Sequence, residues 1–480
     1  MVIAVIDIRR SLEFWAGVKP HELAFVDGKK EITFAGLQAH TLKIATTLRA
    51  LGIKNGDLVC TILPPYLDWP VTLALQIVGA VSFSKPANSN FDSCAEPKWL
   101  ISATEQPKFS TGNTILVNQD FAEKVNSADT TEKIEIEHDP NKIFRLSSTS
   151  GTSGEVKYLS FTQNEMRPRV ENQRPTEFLG NSRFLNLFPP SASQSYNWAL
   201  RSLLFGKTYF TASPKDEIVE SIIFGKNVKI IVGSPNQISR FLTTLEIMKI
   251  KLDSSHNLII GGSTPSAKLL NRIRSQHQSL AYNSHGSAET GFISICDVTT
   301  ENSPGLLIYP NSIVEVLDES GLLIGSDEVG VLRYKTLYAS NSYFNNPQAT
   351  KEYFKDGYFY SGDMGYKTKD GRLFITGRSN EVINLGGVKI NPEQVDEIAV
   401  MQDGVIDVAA FAIEDESGIP KLAIAVVIDA EFNEEKFRES MKFKFQSAKV
   451  EKIFRVEAIP RNPNGKILRR ELSQKFGNLE

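Results

Sequence analysis

The sequence predicts an α/β protein with a large N-terminal domain of α/β subdomains, a β-rich subdomain, and a small α+β C-terminal domain. Three observations carry this. Strand-then-helix alternation recurs as far as Ser275. From Gly305 to Thr376 the pattern changes to short apolar runs divided by Asp-Gly and glycine-rich turns, as in a small barrel. Beyond Gly377 the chain starts afresh. The predicted domains are residues 1–379, with the β-rich stretch at about 300–379, and residues 380–480. A chain of 480 residues exceeds one simple core, and length alone suggests about three domains or subdomains.

Leu37, Thr41, Ile44, Leu48 and Leu51 recur at spacings of four and three, placing one helical face that ends at Gly52. Leu58 to Leu63 reads as a buried strand. Asp68 then reads as a helix cap with Pro70 in the first turn, and Val81 to Ser84 as the next strand, which makes a βαβ unit. The alternation returns at Lys229 to Val232 with Pro235 to Leu245, and at Leu258 to Ile260 with Ser266 to Ser275. In the last hundred residues Asn391-Pro392-Glu393 signals a helix start, and Val405 to Ile413 and Lys421 to Ile428 read as strands.

Composition narrows the class. A net charge of −3 provides no electrostatic footprint for nucleic acid. Cys60, Cys94 and Cys296 lie too far apart for a metal-ligand spacing and match no disulfide framework. No run of about 18–20 apolar residues occurs, so no membrane span is expected. Met1 to Arg10 lacks the pattern of an export signal, and the expected location is cytoplasmic.

Four segments carry chemistry. Ser147-Ser148-Thr149-Ser150-Gly151-Thr152-Ser153-Gly154-Glu155-Val156-Lys157 is rich in hydroxyls and glycine and closes on a lysine. Backbone N–H groups, hydroxyls and a cation together suit phosphate, although a plain surface turn has the same composition. It is not a Walker loop, since Val156 and Tyr158 flank Lys157. Asn283-Ser284-His285-Gly286-Ser287-Ala288-Glu289 places a single carboxylate, Glu289, in a polar turn where it can hold Mg²⁺ or simply face water. Around Gly362, Asp363 can accept from a ribose diol, and Arg378 offers a planar fork of donors to a sugar or phosphate. Near the C-terminus, Asn464-Gly465 forms a turn that presents Lys466.

In this order and at these distances the segments resemble the adenylate-forming superfamily, which includes acyl-CoA synthetases, firefly luciferase and nonribosomal peptide adenylation domains. The resemblance runs from Ile32-Thr33-Phe34 to Leu472. It implies ATP-dependent activation of a carboxylic acid to an acyl adenylate with pyrophosphate release, then transfer to a thiol. CoA is the default thiol, and a carrier-protein phosphopantetheine is the alternative. It further implies that Thr149 to Lys157 grips the pyrophosphate portion of ATP, that Glu289 binds Mg²⁺, and that Asp363 and Arg378 hold the ribose. Lys466 becomes the adenylation lysine, bridging substrate carboxylate and α-phosphate. Gly262 with Ser263, and Asn283 to Ala288, line the adenine and acyl sites. Tyr196, Asn197, Ser234, Gly261 and Gly286 form the acyl pocket. The small domain is expected to be mobile, swinging about Asn380 to bring Gly386 and Gly387 to the site for the thiol step.

Departures from the family pattern are Val156, Tyr158, Gln163, His285 in place of a stacking tyrosine, Ala288 in place of a phosphate-contacting threonine, and Asn380 followed by Glu381 at the hinge. Because Lys466, Glu289, Asp363 and Arg378 are all present, the resemblance implies no loss of chemistry severe enough for an inactive protein. A homologue that binds nucleotide with reduced catalysis is the remaining alternative. Phe188 to Trp198 is polar and aromatic, which leans toward a small, aromatic or functionalised acid over a long aliphatic one, and the aspartate that the resemblance implies here for amino-acid substrates is absent between Phe188 and Leu200.

Overall fold

The computed structural model describes the chain apart from residues 1–5, 87–92, 105–112, 132–133, 135–138, 150–155, 173–182, 213–222, 224, 301–304, 380, 386–387, 415–419, 445–448, 463–464 and 478–480. Ser150, Gly151, Thr152, Ser153 and Gly154 of the predicted phosphate loop, the hinge residue Asn380, and Gly386 and Gly387 lie outside the described residues.

Two large sheets dominate. One runs Thr114–Leu116, Trp99–Ser102, Leu58–Ile62, Val81–Ser84, Ile143–Thr149, Lys157–Thr162, and is parallel except for its last, antiparallel pair. The other has nine strands among the described residues, with a parallel centre that includes Arg183–Asn186, Val228–Gly233, Asn257–Gly261 and Leu280–Ser287. Near-continuous apolar strands are what a parallel sheet covered on both faces requires, and Ile230, Ile231, Leu258, Ile259 and Ile260 are fully buried. The predicted helix is Phe34–Ala50. It is capped by Thr33, whose hydroxyl accepts from Gly36 N at 3.1 Å, and it turns Leu37, Thr41, Ile44 and Leu48 inward.

Two local expectations are corrected. The helix after Ile62 begins at Pro65, not beside Asp68, because Pro65 supplies a preset first helical residue. Asp68 is buried inside that helix, accepting from Thr61 Oγ1 at 2.5 Å and from Ser84 Oγ at 3.0 Å. Burial raises its carboxyl while Arg145 and these hydroxyls pull the other way. The β-rich stretch is an antiparallel sheet built on Ser312–Leu317, Gly330–Thr336, Asp363–Lys367 and Leu373–Arg378, and its described strands pair along an open path instead of closing a barrel.

After Arg378 a further, three-stranded sheet forms: Val405–Glu414 and Pro420–Ile428 pair antiparallel, and Val450–Arg455 joins in parallel. Asn391 caps the helix Pro392–Ala399 as its Asn-Pro-Glu signal predicts. Core side chains here, from Ile383 to Phe476, form their own clusters, separate from the main core that runs from Ile6 to Leu373. From this division of cores we infer that residues 380–480 form a separate folding unit. Ile424 lies on the central strand and is fully buried, so Ile424→Ala should destabilise that unit by about 2–5 kcal/mol. Urea unfolding monitored by both near- and far-ultraviolet circular dichroism checks this: one of two transitions should move while the other stays.

Candidate active site

A cleft of about 210 Å³ opens where the large sheets meet the β-rich and C-terminal parts. Its floor is made by the carboxyl ends of parallel strands, where the next residues leave the sheet and free backbone groups collect. Thr149 ends one such strand, Gly261 another and Ser284 to Ser287 a third. Asn283 to Ser287 is therefore strand instead of turn; the turn is confined to Ala288–Thr290, and Glu289 sits within it. Gly286 is required at a register shift against the neighbouring strand, where a Cβ would fall 2.2 Å from Gly291 O.

Among the described residues four cationic side chains line the cleft, Lys157, Arg169, Arg378 and Lys466, against the single carboxylate of Glu289. Each is held differently. Lys157 Nζ lies over the Tyr353 ring, 4.2 Å from its centroid, and 5.6 Å from that of Tyr343. Tyr343 donates its hydroxyl to Glu289 Oε1 at 2.8 Å. Burial and the Glu289 anion push this phenol far up, so it remains a donor. Thr149 Oγ1 is buried beside them and has no hydrogen-bond partner among the described residues.

On the opposite wall Asp363 and Arg378 face each other in register on adjacent strands, with Arg378 Nε 3.0 Å from Asp363 Oδ1. Tyr334 donates to Asp363 Oδ2 at 3.1 Å, and His285 Nε2 lies 3.2 Å from the Tyr334 hydroxyl. Burial alone would raise Asp363, but the Arg378 guanidinium, with hydrogen bonds from Ser361 and Tyr334, outweighs it and holds the carboxyl below its usual range. Burial lowers His285, with Asp363 opposing, so the neutral ring is favoured. Arg378 and His285 line the cleft, while Asp363 stands directly behind them.

Lys466 reaches the cleft from a tight turn. Gly465 adopts φ +84° there, Gly465 N donates to Asn462 O at 2.8 Å, Lys466 N donates to Asn462 Oδ1 at 3.0 Å, and Arg461 Nη1 donates to Gly465 O at 2.9 Å. A Cβ on Gly465 would come 3.0 Å from Ser234 Oγ across the junction. Burial and Arg378 push the Lys466 ammonium down from the ordinary lysine range, and Glu381 opposes this.

Of the expected acyl-pocket residues, Asn197, Gly261 and Gly286 line the cleft, with Phe188, Ser193, Gln194, Trp198 and Phe292 beside them. Gly262, Ser287 and Ala288 line it as well, whereas Ser263 and Asn283 are not among the lining residues. Tyr196 turns instead into a small neighbouring cavity with Asp68 and Arg145, and Gln76 donates to its hydroxyl at 2.6 Å. Ser234 is a capping residue: its hydroxyl accepts from Gln237 N and its N–H donates back to Gln237 Oε1. Its Ser-Pro-Asn-Gln signature was present in the sequence.

Arg169 was not anticipated. It is fully buried on the helix Gln163–Asn172 and donates to Tyr338 O at 2.9 Å, Ala288 O at 2.7 Å and Glu289 O at 2.8 Å. Burial lowers its guanidinium to about 10 even with Glu289 nearby, so it stays charged. No local pattern marks such a residue, because its partners are main-chain carbonyls more than a hundred residues away.

The profile of the AMP-binding enzyme family matches residues 12–344. The chain belongs to the AMP-binding enzyme family. Within this family it is an acyl-CoA-synthetase-like ligase of the AMP-forming class. It is 22% identical to 4-coumarate–CoA ligase 4 of Arabidopsis thaliana over 93% of this chain and 87% of that protein. It is 24% identical to 2-succinylbenzoate–CoA ligase of Bacillus licheniformis over 95% of this chain and 98% of that protein. Among solved structures, o-succinylbenzoate coenzyme A synthetase of Bacillus subtilis, in complex with ATP and magnesium ion, superposes with a TM-score of 0.81 at 21% identity, covering 96% of this chain and 98% of that one. ATP-bound MatB from Rhodopseudomonas palustris gives 0.81 at 18% identity, covering 98% and 99%. These likenesses establish the shared fold of this AMP-binding enzyme. Among the described residues no helix is long and apolar enough to cross a membrane.

Arg169 fixes the turn that carries Glu289, so Arg169→Met should leave the Ala288 and Tyr338 carbonyls without this donor and cost about 3 kcal/mol. Thermal unfolding measures the loss. Arg169→Lys should recover little of it, since one ammonium cannot reproduce the fork.

Proposed function

We propose that this AMP-binding enzyme activates a carboxylic acid with ATP, releases pyrophosphate, and transfers the acyl group to the thiol of CoA. The observation that carries this reading is the convergence of Lys157, Arg169, Arg378 and Lys466 on one cleft with Glu289 as the single lining carboxylate among the described residues. Cationic groups lining the cleft suit a triphosphate, with Lys157 over an aromatic face and Arg378 and Lys466 each held from behind by a carboxylate, Asp363 and Glu381. The CoA-ligase names of the relatives support CoA as the acceptor.

In the first step an oxygen of the substrate carboxylate attacks the α-phosphorus of ATP. The bond from that phosphorus to the bridging oxygen breaks, and its electron pair leaves with pyrophosphate. Lys466 carries the charge that draws two anions together, the carboxylate and the α-phosphate, and it stabilises the negative charge that grows between them. Lys157 and the Thr149 hydroxyl face the departing phosphates, and Arg378, backed by Asp363, holds the ribose. His285, favoured in its neutral form, presents a flat ring to the adenine.

Mg²⁺ fits this donor set: among the described residues no cluster of three metal-ligating side chains exists, and an ion that takes one carboxylate plus phosphate oxygens and water needs none. Glu289 would hold it, and when bound it would neutralise phosphate charge. In the second step the thiolate attacks the acyl carbonyl and the carbon–oxygen bond breaks with its electrons leaving on AMP. Phe188, Ser193, Gln194, Asn197, Trp198 and Phe292 give the acyl end a mixed polar and aromatic wall, which supports a small, aromatic or functionalised acid over a long aliphatic one.

Acid-dependent pyrophosphate release from Mg-ATP, measured over short, long, aromatic and amino acids with and without CoA, tests the reading. Silence across the panel would sink it. Lys466→Ala should lower pyrophosphate release by roughly 10²-fold or more while sparing thioester formation from a supplied acyl adenylate. Equal loss in both steps would contradict the role given to Lys466.

A pH dependence follows from the same group. Adenylation needs the Lys466 ammonium, and burial with Arg378 lowers the pH at which it is lost. The kcat/KM of pyrophosphate release should therefore fall as pH rises through a value below the ordinary lysine range near 10.4. A pH–rate profile that stays flat to that range would count against it.

A further inference from the structure

Glu381 is the ion-pair partner of Lys466, with Glu381 Oε1 2.9 Å from Lys466 Nζ. Its second oxygen lies 3.4 Å from Arg469 Nε. Arg469 is anchored in turn, with Nη2 2.6 Å from Asp396 Oδ2 and Nη1 donating to Ala410 O at 2.6 Å. The four side chains are only 12–19% exposed, so solvent screens them weakly. The order Asp396, Arg469, Glu381, Lys466 is a line of alternating charge. It runs from the helix Pro392–Ala399, through the first turn of Arg469–Phe476, to the mouth of the cleft.

The charged groups that face Lys466 are Arg378 from the strand Leu373–Arg378, Glu381 from the segment that follows, and Glu393 from the helix Pro392–Ala399. Arg378 repels the ammonium. Glu393 is raised by burial and by Glu381, which weakens it as a counter-charge. Glu381 is held low by Lys466 and Arg469 against its own burial, so it is the dependable anion of the group.

We propose that Glu381 is the positioning residue for Lys466: pinned from behind by Arg469, it holds the ammonium at the cleft beside Arg378 for adenylation and has no part in the thiol step. This rests on the adenylation reading of Lys466. In that reaction the incoming carboxylate and α-phosphate offer the lysine new anionic partners, and the Glu381 pair keeps it charged and aimed until they arrive. Thioester formation begins with the acyl–phosphate bond already made, so it does not draw on this pair.

Glu381→Gln keeps the shape and removes the charge. Pyrophosphate release should fall by about 10-fold or more, since a charge-assisted pair becomes a neutral one. Thioester formation from supplied acyl adenylate should hold within about 2-fold, and Glu381→Asp should recover part of the first step. A second measurement needs no turnover: acetic anhydride labelling of Lys466, read by mass spectrometry across pH. In Glu381→Gln the labelling midpoint should move to lower pH, because an anion favouring the charged amine is gone. An unmoved midpoint, or equal loss in both half-reactions, would overturn the proposal. If the unaltered enzyme releases no pyrophosphate with any acid, the adenylation reading fails, while the labelling midpoint still decides whether Glu381 holds Lys466.

Discussion

Like charges gathered around one cleft repel one another, and much of the surrounding structure is a set of answers to that repulsion. Lys157 is laid over the Tyr353 ring face, Arg169 is enclosed by carbonyl oxygens, Arg378 is paired with Asp363, and Lys466 is paired with Glu381. These four solutions differ in how readily the charge can be turned to a ligand. An aromatic face leaves the ammonium free to donate. The carbonyl cage commits all of Arg169 to the fold. The two carboxylate pairs lie between those limits.

That gradation gives the cleft its division of labour. Arg169 fixes the turn of Glu289 from beneath, and Tyr343 fixes the Glu289 carboxylate from the side. The wall opposite is stiffened by the strand register that sets Asp363 against Arg378, with Tyr334 and His285 extending the same polar chain. Among the described lining residues Lys466 alone comes from the C-terminal part, and the glycine before it packs close to the helix-capping Ser234. Two walls of the site are thus built on the main core, and its last cation comes from a segment packed on a separate one.

Local chemistry was legible wherever an element's reasons are local. The helix over Leu37 to Leu48, the strand Val81–Ser84, the Asn391 cap and the Gly465 turn follow from periodicity, capping and backbone preference, and they lie where those rules put them. The rules failed where a distant partner outweighs them. Asp68 has the chemistry of a cap, but two hydroxyls from neighbouring strands, Thr61 and Ser84, offer it a buried site inside the helix instead. Asn283 to Ser287 is glycine- and serine-rich like a turn, yet pairing with strands on both sides extends it. Tyr196 and Ser234 sit near the cleft in sequence terms, and side-chain direction takes both elsewhere.

The sequence by itself pointed to the AMP-binding enzyme family, because the identity and order of Thr149 to Lys157, Glu289, Asp363, Arg378 and Lys466 are covalent facts that require no geometry to read. It also determined the α/β layering, since strand and helix periods are local. Only the tertiary structure decided which side chains share the cleft, that Arg169 belongs to it, and that Glu381 is what Lys466 leans on. The reason is physical: a buried charge is defined by its partners, and these come from segments that meet only when the sheets, the β-rich part and the C-terminal part are packed together.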